Sequence, residues 1–101
     1  MTEKTERTIA AESPVEAAVR LATRNRWAVV AVWPAGRLND DGVPVAYIVV
    51  SDTGSGFDEG ETFAVNIMHT VEGGFSHLLH GDYELTYQGA QSLALLRAKE
   101  A

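Results

Sequence analysis

Apolar residues recur with a helical period between Ser13 and Asn25. Val15, Ala18, Val19 and Ala22 fall at i, i+3, i+4 and i+7, which predicts one apolar helix face. Ser13 is a capping residue, Pro14 suits the first helical position, and Glu16 completes a capping box, so the helix start is sharp. Arg20 and Arg24 lie on another face. The pattern then switches. Trp27 to Trp33 is a nearly unbroken β-branched and aromatic run, which predicts a strand buried on both faces, or with one face closed by a dimer. Pro34 to Gly42 is dense in turn residues and leads to a second strand, Val43 to Ser51, with Pro44 confined to its start or to an edge. Asp52 to Gly60 is a second loop. A third strand runs from Glu61 to Val71, with Phe63, Val65 and Ile67 on one face. Glu72-Gly73-Gly74 turns the chain into Phe75–His80, and Gly81-Asp82 reads as a turn or bulge before Tyr83–Leu85. The pattern leaves two readings of 75–85, one bent strand or a helical turn followed by a strand. Thr86 caps a last helix, Tyr87 to about Lys99, with Ala90, Leu93, Ala94 and Leu96 facing inward.

These elements predict an α+β fold. An N-terminal helix precedes a three- or four-stranded antiparallel meander, and a C-terminal helix follows it. Two amphipathic helices on one sheet face would make a two-layer sandwich. Residues 1–12 read as a flexible N-terminal arm and residues 13–101 as a single α+β domain. A chain of 101 residues, 46% of them hydrophobic, buries a core without covalent staples. The chain has no cysteine, which excludes disulfides, thiolate zinc sites and cysteine nucleophiles. No apolar run approaches the roughly 18–20 residues of a membrane span. The first eight residues are polar, unlike a secretory signal. The expected location is therefore the cytoplasm. Six of the eight bases are arginine, and alanine and valine are abundant, a usage that suits a GC-rich bacterial or phage genome.

Charge adds the main functional pointer. From Leu38 to Leu96 there is no lysine or arginine, but there are nine acids: Asp40, Asp41, Asp52, Asp58, Glu59, Glu61, Glu72, Asp82 and Glu84. Residues 1–26 carry five bases against four acids, whereas residues 27–101 carry three bases against ten acids. Charge this uneven attracts a cationic partner and repels nucleic acid and anionic lipid. The plain alternative is an acidic surface that serves solubility alone.

Ala46-Tyr-Ile-Val-Val-Ser-Asp-Thr-Gly-Ser-Gly56 carries two resemblances. A hydrophobic strand ending in Asp-Thr-Gly-Ser resembles the aspartic protease active-site loop. That resemblance implies a homodimer with Asp52 of each copy activating water. The family's apolar stretch ending in glycine is matched by Leu78-Leu79-His80-Gly81 with a histidine out of place, and a flap hairpin is not evident. Asp52-Thr-Gly-Ser-Gly56 also resembles the first glycine box of histidine-kinase-type ATPases, in which the aspartate reads adenine. Asn25 does not fit that family's upstream box, and its glycine-rich lid is absent. Read as residues alone, Asp52 and the glycines terminate a strand and build a turn.

His69, His77 and His80 with Asp82 are the remaining candidates for a metal, but their spacing matches no ligand pattern. Asp58-Glu59-Gly60-Glu61 lacks EF-hand spacing. No metal or cofactor is expected. Arg20, Arg24 and Arg26 form the one basic stripe, read as a solvated helix face.

The resulting expectation is a small acidic, non-enzymatic binding protein. Its partner-binding residues would be Asp40, Asp41, Asp52, Phe57, Asp58, Glu59, Glu61 and Glu72. The partner would be a protein with a basic surface, with no direct contact to nucleic acid or membrane. The sharpest version is a phage- or plasmid-encoded inhibitor that occupies a host complex's nucleic-acid-binding surface. A homodimer would account for the apolar sheet residues. The alternative is a homodimeric aspartic-type hydrolase using Asp52. The 38–42 and 72–74 turns of a meander would lie at one end and the 52–61 loop at the other.

Overall fold

The computed structural model describes residues 12–56 and 59–101. The arm expected at 1–12 therefore lies outside the described residues, apart from Glu12. The first helix, α1, spans Pro14–Arg24. Its capping box is formed: the Ser13 hydroxyl accepts from the Glu16 amide and the Glu16 carboxylate accepts from the Ser13 amide. At the other end the Arg26 amide donates to the Thr23 carbonyl and the Trp27 amide to the Ala22 carbonyl. These are the two bonds of a Schellman motif, with Arg26 in the left-handed conformation (φ 63°) at the position glycine usually holds.

The buried face of α1 is Ala17, Ala18, Leu21 and Ala22. It is rotated from the expected one, because Val15 and Val19 are 56% and 46% exposed. Leu21 carries the largest apolar side chain on the opposite flank. Burying it with three alanines brings the helix close to the sheet and turns both valines outward.

Five strands follow: β1 (Ala28–Pro34), β2 (Ala46–Asp52), β3 (Phe63–Val71), β4 (Gly74–Phe75) and β5 (Leu79–Leu85). All pairings are antiparallel, in the order β1-β2-β3-β4, with β5 also on β3. Residues 75–85 thus resolve into a short hairpin strand and a longer irregular one. The last helix, α2, spans Tyr87–Glu100, capped by Thr86, whose hydroxyl accepts from the Gly89 amide at 3.0 Å. An α+β sandwich with one helix before the strands and one after them is the observed fold.

The helices take one sheet face each rather than sharing one. Val49 and Met68 pack under α1, with Val29, Val32 and Tyr47 around them. Ile48, Val50 and Val65 pack under Ala90 and Ala94 of α2. Successive strand residues point to opposite faces, so a strand covered twice must be apolar throughout. Ala46-Tyr-Ile-Val-Val-Ser meets that requirement, and 48 to 51 are all buried. Two-sided cover also places Trp33 and Tyr47, both half-buried: Trp33 joins the α2 side, and Tyr47 meets Phe75 edge-on at 6.0 Å. On α2, Leu96 is exposed, contrary to its expected inward position, while Leu93 and Ala98 pack beside the buried alanines.

The edge strand β5 is bent by two bulges against β3. Each contains a non-glycine residue in the left-handed region, His80 (φ 49°) and Glu84 (φ 60°). The side chain of Tyr83 folds back over Gly81 and meets Trp27 edge-on at 5.9 Å. Trp27 precedes β1 and Tyr83 lies on the opposite edge, so the two rings bridge the α1 face of the intervening strands. Among the described residues, no helix is long and apolar enough to cross a membrane.

Candidate functional site

The antiparallel topology sorts the acidic residues into two groups. The β1–β2 connection and the β3–β4 hairpin lie at one end of the sheet. The β2–β3 connection lies at the other, about 20 Å away along β2. Asp40, Asp41 and Glu72 belong to the first end. Asp52, Glu59 and Glu61 belong to the second. Phe57 and Asp58, also expected in the binding surface, lie outside the described residues.

The first end is tied together by residues the sequence did not single out. The Asn39 side-chain oxygen accepts from the amides of Asp41 (2.8 Å) and Val43 (3.0 Å). The Asn39 amide donates to the Val43 carbonyl at 2.7 Å, and the Gly42 amide to the Asn39 carbonyl at 3.0 Å. Gly42 sits at φ 79°, a conformation that glycine adopts without strain. Asn39 therefore organises the turn, as an asparagine two residues before a backbone amide can. Thr70 joins this loop to β3: its hydroxyl donates to the Pro44 carbonyl at 2.8 Å and its amide to the Val45 carbonyl at 3.0 Å. The β3–β4 hairpin tip, Glu72-Gly73, follows directly, with Gly73 at φ 83°.

This end also carries apolar side chains. Leu38, Val43 and Val71 are exposed beside Asp40, Asp41 and Glu72, which are exposed as well. Three exposed apolar groups and three exposed carboxylates thus share one end of the sheet, on turns held by hydrogen bonds. Arg37 stands at its margin. Asn39 and Gly42 were legible as turn residues, and Thr70 carried no signal because its role depends on pairing with a loop 25 residues earlier.

At the second end, Asp52 serves the loop itself. Its Oδ1 accepts from the Gly54 amide at 2.9 Å and from the Thr62 hydroxyl at 2.8 Å. Thr53 closes the same loop, its amide and hydroxyl both donating to the Thr62 carbonyl. Asp-Thr-Gly-Ser thus forms the strand-ending turn that its residue types favour.

Of the basic residues, Lys99 lies near the first end, as Arg37 does, because the Ala98 carbonyl accepts from the Gly36 amide, whereas the others described sit along or just after the helices. The Arg20 guanidinium donates twice to the Glu12 carboxylate, at 2.9 and 3.0 Å. That contact holds Glu12 below the usual carboxylate range and raises Arg20. Arg24 lines a cleft of about 230 Å³ with Leu21, Asn25, His77 and Leu78. Arg97 reaches Asp82 at 2.6 Å. A second cleft, of about 130 Å³, has Ile48, Val65 and Ile67 at its floor and His80, Arg97 and Glu100 at its rim. Among the described residues, no three histidine or acidic side chains come together as metal ligands, so His69, His77, His80 and Asp82 do not form a group.

Compared with protein-family models, with curated proteins and with solved structures, the chain matches none.

Proposed function

We propose that this chain is a binding protein that docks the Asp40, Asp41 and Glu72 end of its sheet onto a protein with a basic surface. The observation that carries the reading is that the sheet topology brings three exposed carboxylates and three exposed apolar residues to one end, on turns held by Asn39 and Thr70. Leu38, Val43 and Val71 would supply the desolvated centre of the contact. The carboxylates would steer encounter and select a cationic partner. A surface that otherwise holds nucleic-acid phosphates is the partner this chemistry fits most closely, because clustered carboxylates can occupy cationic groups placed for phosphate. Occupation of that kind would make the protein an inhibitor of its partner.

The test is capture of partners at low and high salt by the wild type, by Asp40→Lys/Asp41→Lys/Glu72→Lys, and by Glu59→Lys/Glu61→Lys. The first variant should slow association about tenfold or more at low salt. The second, altered at the far end, should leave it unchanged. A partner whose binding ignores salt and both charge reversals would overturn the proposal. For the inhibitor version, duplex DNA should compete with the protein for the captured partner.

A further inference from the structure

We propose that the cleft between β3, β5 and the end of α2 binds a primary alkylammonium group, carried by a small apolar amine or by a lysine side chain. The cleft has a volume of about 130 Å³. It lies where β5 bulges away from β3. Val65 pairs with Asp82 and Ile67 with Leu79, so three residue steps on β5 oppose two on β3. Asn66, between the two β3 residues, and His80, within the bulge, both line the cleft. His80 is held in the left-handed region at φ 49°. That conformation is costly for a residue other than glycine, and backbone strain of this kind gathers at binding sites.

Floor and rim differ in chemistry. Ile48 and Val65 are buried and Ile67 is half-buried, so the floor suits an apolar stem. The unmatched polar groups around it are acceptors. Arg97 is already engaged by Asp82. Glu100 is exposed and makes no ion pair among the described residues. Asn66 is only 3% exposed, and its Oδ1 has no donor. Alternation along β3 starts the Asn66 side chain on the α1 face. Its Nδ2 leans sideways to the Leu79 carbonyl, at 3.5 Å, across the ladder that the bulge opens. In its neutral form the His80 ring offers a nitrogen as a third acceptor. A buried acceptor without a donor is costly, and a ligand that supplies the donor recovers that cost.

A primary ammonium matches this set. It has three N–H donors and no acceptor, it is opposite in charge to Glu100, and it stands at the end of an alkyl stem. Asp82 and Glu100 together exceed Arg97 by one negative charge, and the whole chain carries −6, so the field favours a cation over an anion. A carboxylate on the same stem would find Arg97 paired and Glu100 beside it. An alcohol would bring one donor to three acceptors.

The test is an NMR titration of the full, nitrogen-labelled chain with isoamylamine at constant pH and ionic strength. A Kd of about 1 mM or tighter is expected, with shifts gathered at Asn66, His80 and Arg97. Methylamine should bind about tenfold more weakly or worse, because each methylene on the floor tightens binding about three- to fourfold. 4-Methylpentanoate and isoamyl alcohol, which share the branched stem, should also bind about tenfold more weakly or worse. Glu100→Gln, at an exposed position, should weaken isoamylamine about fivefold with unchanged circular dichroism. Asn66→Leu should weaken it without lowering the urea midpoint, because the acceptor it removes has no partner. Nα-acetyl-lysine methylamide separates the two sources: binding as tight as isoamylamine assigns the cleft to a lysine side chain of another protein, and much weaker binding assigns it to a free amine. No saturable binding of isoamylamine, equal binding of 4-methylpentanoate, or indifference to Glu100→Gln would overturn the proposal. The Asp40→Lys/Asp41→Lys/Glu72→Lys variant should keep isoamylamine binding, so the cleft and the docking end fail separately.

Discussion

Gly81→Ala provides a sharp test of how the α1 face is closed. A Cβ at position 81 would overlap the Tyr83 ring, which folds over the glycine on its way to Trp27. The obstacle is the far end of a side chain that is 52% exposed, so the ring can swing out rather than the backbone yield. The cost is then that of losing the Trp27 edge contact, about 0.5–1.5 kcal/mol for an aromatic pair, plus part of the cover over the sheet. A total of about 1–2 kcal/mol is expected, or a fall in Tm of roughly 5–10 °C for a domain of this size. Urea denaturation by circular dichroism measures the loss, and tryptophan fluorescence should change with it because Trp27 loses its neighbour. The decisive comparison is the same substitution beside Tyr83→Ala. There the new methyl group meets no ring, and Gly81 is not in the left-handed region. Alanine should then stabilise by about 0.4–1 kcal/mol through reduced freedom of the unfolded chain. The substitution thus changes sign with background. An equal cost in both backgrounds would refute the reasoning, because it would place the strain in the β5 backbone and not in the Tyr83 ring.

Three further outcomes are expected. Thr86→Ala removes the hydroxyl that accepts from the Gly89 amide and should cost about 1 kcal/mol in urea denaturation. Arg26→Gly relieves the left-handed strain at the end of α1 and should stabilise the protein by about 0.5–1 kcal/mol in urea denaturation. Asp52→Asn keeps the side-chain oxygen that accepts from Gly54 and Thr62, whereas Asp52→Ala loses both bonds and should cost about 1–2 kcal/mol more. The hydrolase alternative instead requires an acid-optimum peptidase activity in the wild type that Asp52→Asn abolishes, and an assay of both proteins separates the two roles.

Local chemistry along the chain determined a good deal about this protein. Ser13-Pro14-Val15-Glu16 and Thr86 set the helix starts, since a cap needs only residues within one turn. The β-branched runs set three strands, and Asp52-Thr53-Gly54 and Asn39–Gly42 set turns closed by their own side chains. The class of the fold, and the division of the acidic loops between two ends, follow from the order of these elements in a meander. What the tertiary structure alone decided is which side of each element is inward. An apolar stripe on α1 can roll by a residue or two at little cost, and only packing against Val49 and Met68 selects Leu21 over Val15 and Val19. Whether two helices share a sheet face depends on the path of the chain around the sheet, and the unbroken apolarity of β2 records that both faces are covered without showing by what. The bulges of β5, the Tyr83 bridge to Trp27 and the Thr70 tie to the β1–β2 loop join residues far apart in sequence. No local pattern encodes them, because their energy arises only once the strands have paired.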